Sequence, residues 1–322
     1  MKKILFFTFC IFIMKLFSQE INFTENELQI PTKNTLINGT ILIPKAIEKP
    51  PLVILIPGSG PTDRDGNNQQ LKNNSLKFLA EELAKNNIAV FRYDKSVISL
   101  TKNDTISATQ LNELLKEITF DSFIEDAKDI VSFFKTNHAY SKIIIAGHSQ
   151  GSLVGMIAAN NNANAFISLG GAGNPIDKVI TMQIEKQAPF LKEETIKIVS
   201  ELKQGNTVEN VNPMLLSVFN KQVQPFLTNW MQYNPQHEIA KLTMPVLIIN
   251  GTKDIQVSVD EAKLLHLANE HSKLHIVENM NHIFKEIKGD NSENIQSYTN
   301  PDLPVMPEMV ILITNFINEA IK

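Results

Sequence analysis

Residues 143–155 read IIIAGHSQGSLVG, and no other stretch restricts the fold as much. Three consecutive isoleucines and an alanine form a short, wholly apolar run, the pattern of a strand covered on both faces. From Ser152 the sequence changes to small residues spaced for a helix, 152–160. Between the two lies Gly147-His148-Ser149-Gln150-Gly151, where neighbours without a Cβ let a sharp strand-to-helix turn close. A strand that turns directly into a helix belongs to a parallel sheet with helical crossovers. It lifts the middle residue of the turn, Ser149, above the sheet edge, with a helix N-terminus aimed at any negative charge that develops there.

The rhythm continues on both sides of that turn. Apolar runs predict strands at 52–56, 88–93, 142–146, 165–169, 245–249 and 273–277, and the alternating segment 36–44 predicts an antiparallel edge strand. Helical spacing occupies 75–86, 120–136, 260–268 and 307–321, with Asp121 placed to cap the second of these. The fold class is therefore α/β, a mostly parallel central sheet flanked by helices on both faces. Between 175 and 240 helical patterns occur without a strand, and 291–304 reads as a long polar loop. A helical insertion between two strands covers one end of a sheet. The chain thus divides into a first core part, 19–174, a helical cap, 175–240, and a second core part, 241–322.

Residues 1–18 stand apart from this fold. Lys2 and Lys3 precede an apolar run at 4–14, and Ser18 is a small residue ahead of polar sequence. The pattern predicts a secretory signal peptide, with an uncleaved anchor as the alternative. The expected location is periplasmic or extracellular. Cys10, the one cysteine, lies inside the segment, so the mature chain needs no disulfide. The net charge is −4 without a Lys/Arg block, which points away from nucleic acid as a partner. No stable membrane insertion is expected once the signal is removed, and the oligomeric state is not legible.

A serine is a weak nucleophile without a base and a carboxylate to orient that base. In a sheet of this kind the order is serine, carboxylate, histidine, each beyond the C-terminal end of a later strand. GTKD after the strand at 245–249 supplies Asp254, and NMNH after 273–277 supplies His282. Asp177, after an earlier strand, is an alternative acid. His266 and His271 lie in or just after a helix, His275 within a strand, and His237 in the insertion, where it can touch substrate. His148 points away from Ser149 on such a turn and reads as a packing residue. Acyl transfer also needs two main-chain N–H donors for the oxyanion. One comes from the residue after the nucleophile, Gln150, and one from the loop after the third strand. That loop is PGSGPTDRDGN, with Ser59 the expected donor and Gly60 its neighbouring candidate. A phosphate-cradling loop would continue into G-K-[S/T], and this one does not.

In order and spacing, PGSGPTDRDGN, FRYDK, GHSQG, GTKD and NMNH resemble the α/β-hydrolase superfamily, and more closely bacterial serine esterases with a GSGPxDRDG loop. The resemblance runs from about residue 35 onward and is weakest in the insertion. It implies an α/β-hydrolase fold and a serine carboxylesterase that needs no cofactor and no metal. Ser149 would be the nucleophile, Asp254 the acid and His282 the base, with Ser59 and Gln150 as amide donors. Two positions depart from it. Many relatives carry His-Gly at Pro57-Gly58 and Lys-Arg-Gly at Lys95-Ser96-Val97, so a loop arginine has no counterpart here.

Asp63, Arg64 and Asp65 read as a stiffener that joins the loop to Arg92 or Asp94, since two carboxylates are too few for a calcium site. Phe219, Phe226 and Trp230 of the insertion are the candidate contacts for an acyl chain, beside a reading in which such residues pack the insertion onto the sheet. The adaptable apolar side chains around them favour a small-molecule ester with a short-to-medium apolar acyl group over a sugar or a highly charged substrate. Two other readings stand beside this one. A serine peptidase or amidase of related fold usually brings a large extra domain. A catalytically silent binding protein would have lost a member of the triad, and all three are present.

Overall fold

The computed structural model describes residues 22–320, so the expected signal peptide and Cys10 lie outside the described residues. Eight strands, β1 (Phe23–Pro31), β2 (Leu36–Pro44), β3 (Leu52–Ile56), β4 (Ala89–Tyr93), β5 (Ile143–His148), β6 (Ala165–Leu169), β7 (Val246–Gly251) and β8 (Lys273–Val277), form one sheet. Its order is β1-β2-β4-β3-β5-β6-β7-β8. The pairs β1–β2 and β2–β4 are antiparallel and all others are parallel. Between the strands run α1 (Ser75–Lys85), α2 (Ser96–Thr101), α3 (Ala108–Glu117), α4 (Phe120–Asn137) and α5 (Gln150–Ala159). The insertion contributes α6 (Ile176–Gln187), α7 (Lys192–Lys203), α8 (Leu216–Phe219), α9 (Gln224–Trp230) and α10 (Pro235–Ile239). The chain closes with α11 (Val259–Ala268), α12 (Asn291–Ser297) and α13 (Pro307–Ala320). This is the architecture of the α/β-hydrolases.

Strand β3 shows how the sheet carries two cores. Successive side chains point to opposite faces, so Leu52, Ile54 and Ile56 join the cluster built with α4 and α5, while Val53 and Leu55 join the one built with α1 and α13. All five are at most 2% exposed. Burial stabilises each such side chain by about 1.5–3 kcal/mol, and burial on both faces leaves no polar alternation to read. A third cluster, including Ile180, Ile198, Leu202, Phe219 and Leu227, lies within the insertion itself. The insertion is joined to α4 by aromatic contacts of Phe120 and Phe123 with Phe226 and Trp230.

Several local expectations need correction. Helix α4 starts from Thr119, whose N–H donates to Ser122 Oγ at 3.1 Å. Asp121 sits in the first turn instead, and its carboxylate accepts from Asn229 Nδ2 at 3.0 Å and from the Tyr233 hydroxyl. A tertiary contact to the insertion thus takes the side chain that local sequence assigned to the cap. The segment 291–304 holds α12, started by Asp290, whose Oδ1 accepts from the N–H groups of Ser292 and Glu293 at 2.9 and 3.3 Å. Strand β1, α2 and α3 were not expected; β1 pairs along its length with β2 at the sheet edge. Among the described residues no helix is long and apolar enough to cross a membrane.

Candidate active site

Ser149, Asp254 and His282 all stand just beyond the C-terminal ends of parallel strands, after β5, β7 and β8 respectively. Adjacent parallel strands end at one rim, which is how residues over a hundred positions apart become neighbours.

The turn at Ser149 is strained. Its backbone has φ 54° and ψ −120°, a region that costs a non-glycine residue about 1–3 kcal/mol. The surrounding structure enforces it, for the Ser149 N–H donates to the Leu169 carbonyl at 2.9 Å. The flanking glycines are required by contact: a Cβ on Gly147 would lie 2.1 Å from the Gly151 carbonyl oxygen, and one on Gly151 would lie 2.6 Å from those of Ile56 and Pro57. Helix α5 therefore starts against the end of β3, which brings the loop after β3 over the serine.

His282 Nδ1–H donates to Asp254 Oδ2 at 2.7 Å, and both side chains are almost fully buried. The other carboxylate oxygen of Asp254 accepts the N–H groups of Gln256 and Val257 at 2.8 Å each. The loop after β7 thus anchors Asp254 by its own main chain. His148 lies beneath His282, their ring centroids 4.7 Å apart, and its Nε2–H donates to the His282 carbonyl at 2.9 Å. Burial, and then the neighbouring imidazole, hold His148 well below the usual histidine range. It stays neutral and props His282. Ser149 and His282 face one cavity. They are not hydrogen-bonded to each other, a contact that is commonly loose in a free hydrolase and tightens when substrate arrives.

Ser59 and Gln150 line a cavity with Ser149. The Gln150 N–H is in the first turn of α5, where main-chain donors have no intrahelical partner. Sequence reasoning missed the residue that holds this region together, Lys95. Its Nζ donates to the carbonyls of Gly58 at 2.6 Å and Gly60 at 2.9 Å, on either side of Ser59, and lies 3.4 Å from Gln150 Oε1. It also sits 5.1 Å from the Phe123 ring centre. Burial pulls this ammonium down to about 7. The available signal was a lysine at the end of FRYDK, directly after a buried parallel strand.

The rest of the opening loop is fixed by charge. Arg64 donates through its backbone N–H and Nη2 to Asp94 at 2.9 and 3.0 Å and through Nη1 to Thr40 at 2.9 Å. Arg92 Nε donates to Asp65 at 2.8 Å, and Asp63 Oδ1 accepts the N–H groups of Asp65 and Asn67 at 2.9 Å. Although burial pushes the Asp94 carboxyl up, Arg64 and Lys102 outweigh it and hold the group below the usual range. Asp63, with no cation bonded to it, is raised by burial. Among the described residues no group of three His, Cys, Asp or Glu side chains is placed to hold a metal ion.

Two cavities meet at Ser149. One, of about 150 Å³, is lined by Leu153, Ile176, Val179, Trp230 and Val257 together with Asn174, Gln183 and Gln256; the other, of about 220 Å³, contains His148 and His282 and shares Ser59 and Gln256 with the first. Of the expected acyl contacts, Trp230 reaches the first cavity. It stacks on Phe120 with centroids 5.2 Å apart and planes at 4°. Phe219 is corrected: it is 0% exposed inside the insertion's own cluster and lines neither cavity. Phe226 lines neither as well and packs on Phe120 and Phe123. Asp177 is engaged by Lys203 at 2.7 Å, away from His282. His266 bonds to Ser272. Neither they nor His237, His271 and His275 line either cavity.

The chain is similar to Esterase EstD of Thermotoga maritima, 26% identical over 260 residues. That match takes in 76% of this chain and 57% of the relative, so the chain spans little more than half of its length. Among solved structures it is similar to Est1E from Butyrivibrio proteoclasticus, at 18% identity and a TM-score of 0.57, covering 92% of this chain and 98% of the other. The Pyrococcus furiosus esterase Pf2001 gives 16% identity and a TM-score of 0.57, covering 93% and 92%. At these identities the likeness concerns the fold. The family described as serine aminopeptidase, S33 matches residues 73–287, a span that holds Ser149, Asp254 and His282, and the chain belongs to that family.

Proposed function

We propose that the protein is a serine carboxylesterase acting on small esters with a short-to-medium apolar acyl group. The Asp254–His282 pair at 2.7 Å, facing a cavity shared with the strained Ser149, carries this reading. Neutral His282 takes the Ser149 proton as Oγ attacks the carbonyl, and Asp254 holds the imidazole with its proton on Nδ1. The N–H groups of Ser59 and Gln150 bind the oxyanion, Lys95 holding the loop that carries the first of them. Collapse leaves an acyl group on Ser149, and water then repeats the sequence. The chemistry calls for no cofactor. Likeness to esterase EstD and the GSGPTDRDG loop support placing the chain with esterases that carry such a loop. Leu153, Ile176, Val179 and Trp230 support the apolar acyl preference.

The family's description favours a second reading, amide cleavage at a peptide N-terminus. A substrate ammonium would want a carboxylate, and among the described residues no Asp or Glu lines either cavity, which supports the ester. Steady-state kinetics on p-nitrophenyl esters of increasing acyl length, run beside matched p-nitroanilides, separates the two. Turnover of esters alone, best at short or medium chains, is the expected outcome; comparable kcat/KM on anilides would overturn it. Residues 1–18 are read as an export signal on the strength of Lys2, Lys3 and the apolar run at 4–14. Mass spectrometry of the exported protein should find a chain starting near Gln19. A cell-retained chain still carrying Met1 would refute export.

A further inference from the structure

The two cavities take different halves of an ester, and the direction of proton transfer says which. As Ser149 Oγ bonds to the carbonyl carbon, its proton passes to His282. When the adduct collapses, the bond from carbon to the leaving oxygen breaks with its electron pair on that oxygen, and the imidazolium returns the proton there. The leaving oxygen must therefore lie within hydrogen-bond reach of His282. Its substituent occupies the cavity that His282 lines, while the acyl chain, still bonded to Ser149, extends into the other, along Leu153, Ile176, Val179 and Trp230. Both cavities are smaller than the roughly 300 Å³ at which pockets for whole drug-sized ligands begin, as expected if each receives a part of the substrate.

The leaving-group cavity has a polar, uncharged wall. Thr62, Asn68, Asn73, Ser75, Gln256 and Tyr298 supply hydrogen-bonding groups, and among the described residues no Asp, Glu, Lys or Arg lines it. Asn73 is 2% exposed, and its Oδ1 is taken by the Ser75 N–H at 3.0 Å. Among the described residues nothing accepts from its Nδ2, which leaves two amide donors free at the cavity wall. The Tyr298 hydroxyl accepts from Gln256 Nε2 at 3.1 Å, so its own O–H is free to donate and Gln256 Oε1 is free to accept. Burial pushes that phenol up to about 12, so it remains a donor across the neutral range. A buried polar group without a partner costs about 1–3 kcal/mol, and an alkyl leaving group would leave these groups unpaired. A charged one would meet no counter-charge.

We propose that the natural leaving group is a neutral polyhydroxylated alcohol, of the size of glycerol or a monosaccharide, whose hydroxyls pair with Asn73, Tyr298 and Gln256. The inference rests on the ester reading and adds the alcohol half of the substrate. The acyl half stays apolar and short.

The test holds the acyl group constant. kcat/KM is measured for 1-butyrylglycerol, 6-O-butyrylglucose, n-propyl butyrate and p-nitrophenyl butyrate, with wild type, Asn73→Leu and Tyr298→Phe. At least one polyol ester should exceed propyl butyrate by about tenfold or more in the wild type, since a site built to hydrogen-bond a hydroxyl discriminates against the analogue lacking it. Whichever polyol gives the larger ratio identifies the alcohol. In each variant the ratio should fall toward one. A general loss of activity cancels in that ratio, and Tyr298→Phe covers the case in which Asn73→Leu fails to fold. Wild-type cleavage of p-nitrophenyl butyrate with no preference for either polyol ester would overturn the leaving-group assignment alone, as would ratios unmoved in both variants. Failure to cleave any of the four esters would overturn the ester reading, and this proposal with it.

Discussion

The sheet side and the insertion side of Ser149 are built by different means. On the sheet side each group is held by directional bonds: Asp254 by His282, Gln256 and Val257, the His282 backbone by His148, and the loop around Ser59 by Lys95 and Arg64. On the insertion side the wall is mostly apolar packing, with Trp230 stacked on Phe120, Phe219 sealed in a separate cluster, and Gln183 Nε2 donating to the Gln256 carbonyl at 3.2 Å as the polar exception. Directional bonds fix reacting groups to the fraction of an ångström that acyl transfer demands. Apolar packing fixes volume and tolerates replacement. Chemistry and acyl preference should therefore be separable by mutation.

The largest effects should come from the triad. Ser149→Ala or His282→Ala should lower kcat by about 10⁴–10⁶-fold, and Asp254→Asn by about 10⁴-fold, on every ester and with the circular dichroism of the wild type. A loss that varied with acyl length would break the separation. Lys95→Met comes next. Release of the loop should lower kcat by about 10²-fold, the magnitude of one oxyanion donor, with KM nearly unchanged. A rise in KM alone would make Lys95 a substrate-binding group instead.

On the other side, Trp230→Ala should shift the ratio of kcat/KM between long and short acyl esters by about tenfold, the order expected for apolar pocket volume. Its kcat on acetyl esters should stay close to wild type; a loss comparable to that of Lys95→Met would merge the two sides. The last effect is on stability. Lys95 is charged below about 7 when folded and below 10.5 when unfolded. Between those values the unfolded chain binds more protons, so this residue makes stability rise with pH across that interval. Denaturant titrations at pH 7 and 10 should show that rise in the wild type, and a smaller one in Lys95→Met.

How much of this was legible followed from where each signal resides. Ser149, Asp254 and His282 occupy fixed places relative to strands that read as apolar runs, so the order along the chain was sufficient to propose them together. Helix α12 begins with Asp290 in a polar stretch too short for apolar periodicity to register. Asp121 was misassigned because a helix start offers local amides, while its actual partners, Asn229 and Tyr233, are more than a hundred residues away. Phe219 and Trp230 are alike in composition and spacing. Only packing decides that one seals a cluster and the other lines the cavity beside Ser149. Lys95 lacks a spacing rule because its partners are carbonyls, which every residue carries.

The most direct test of convergence at one rim is labelling with a fluorophosphonate followed by peptide mapping. One equivalent should attach to Ser149 in the folded wild type, with the labelling rate lowered by about 10³-fold or more in His282→Ala, since removing the base leaves the hydroxyl unactivated. A folded wild type that takes up no probe, or a His282→Ala variant labelled at Ser149 as fast as the wild type, would contradict it.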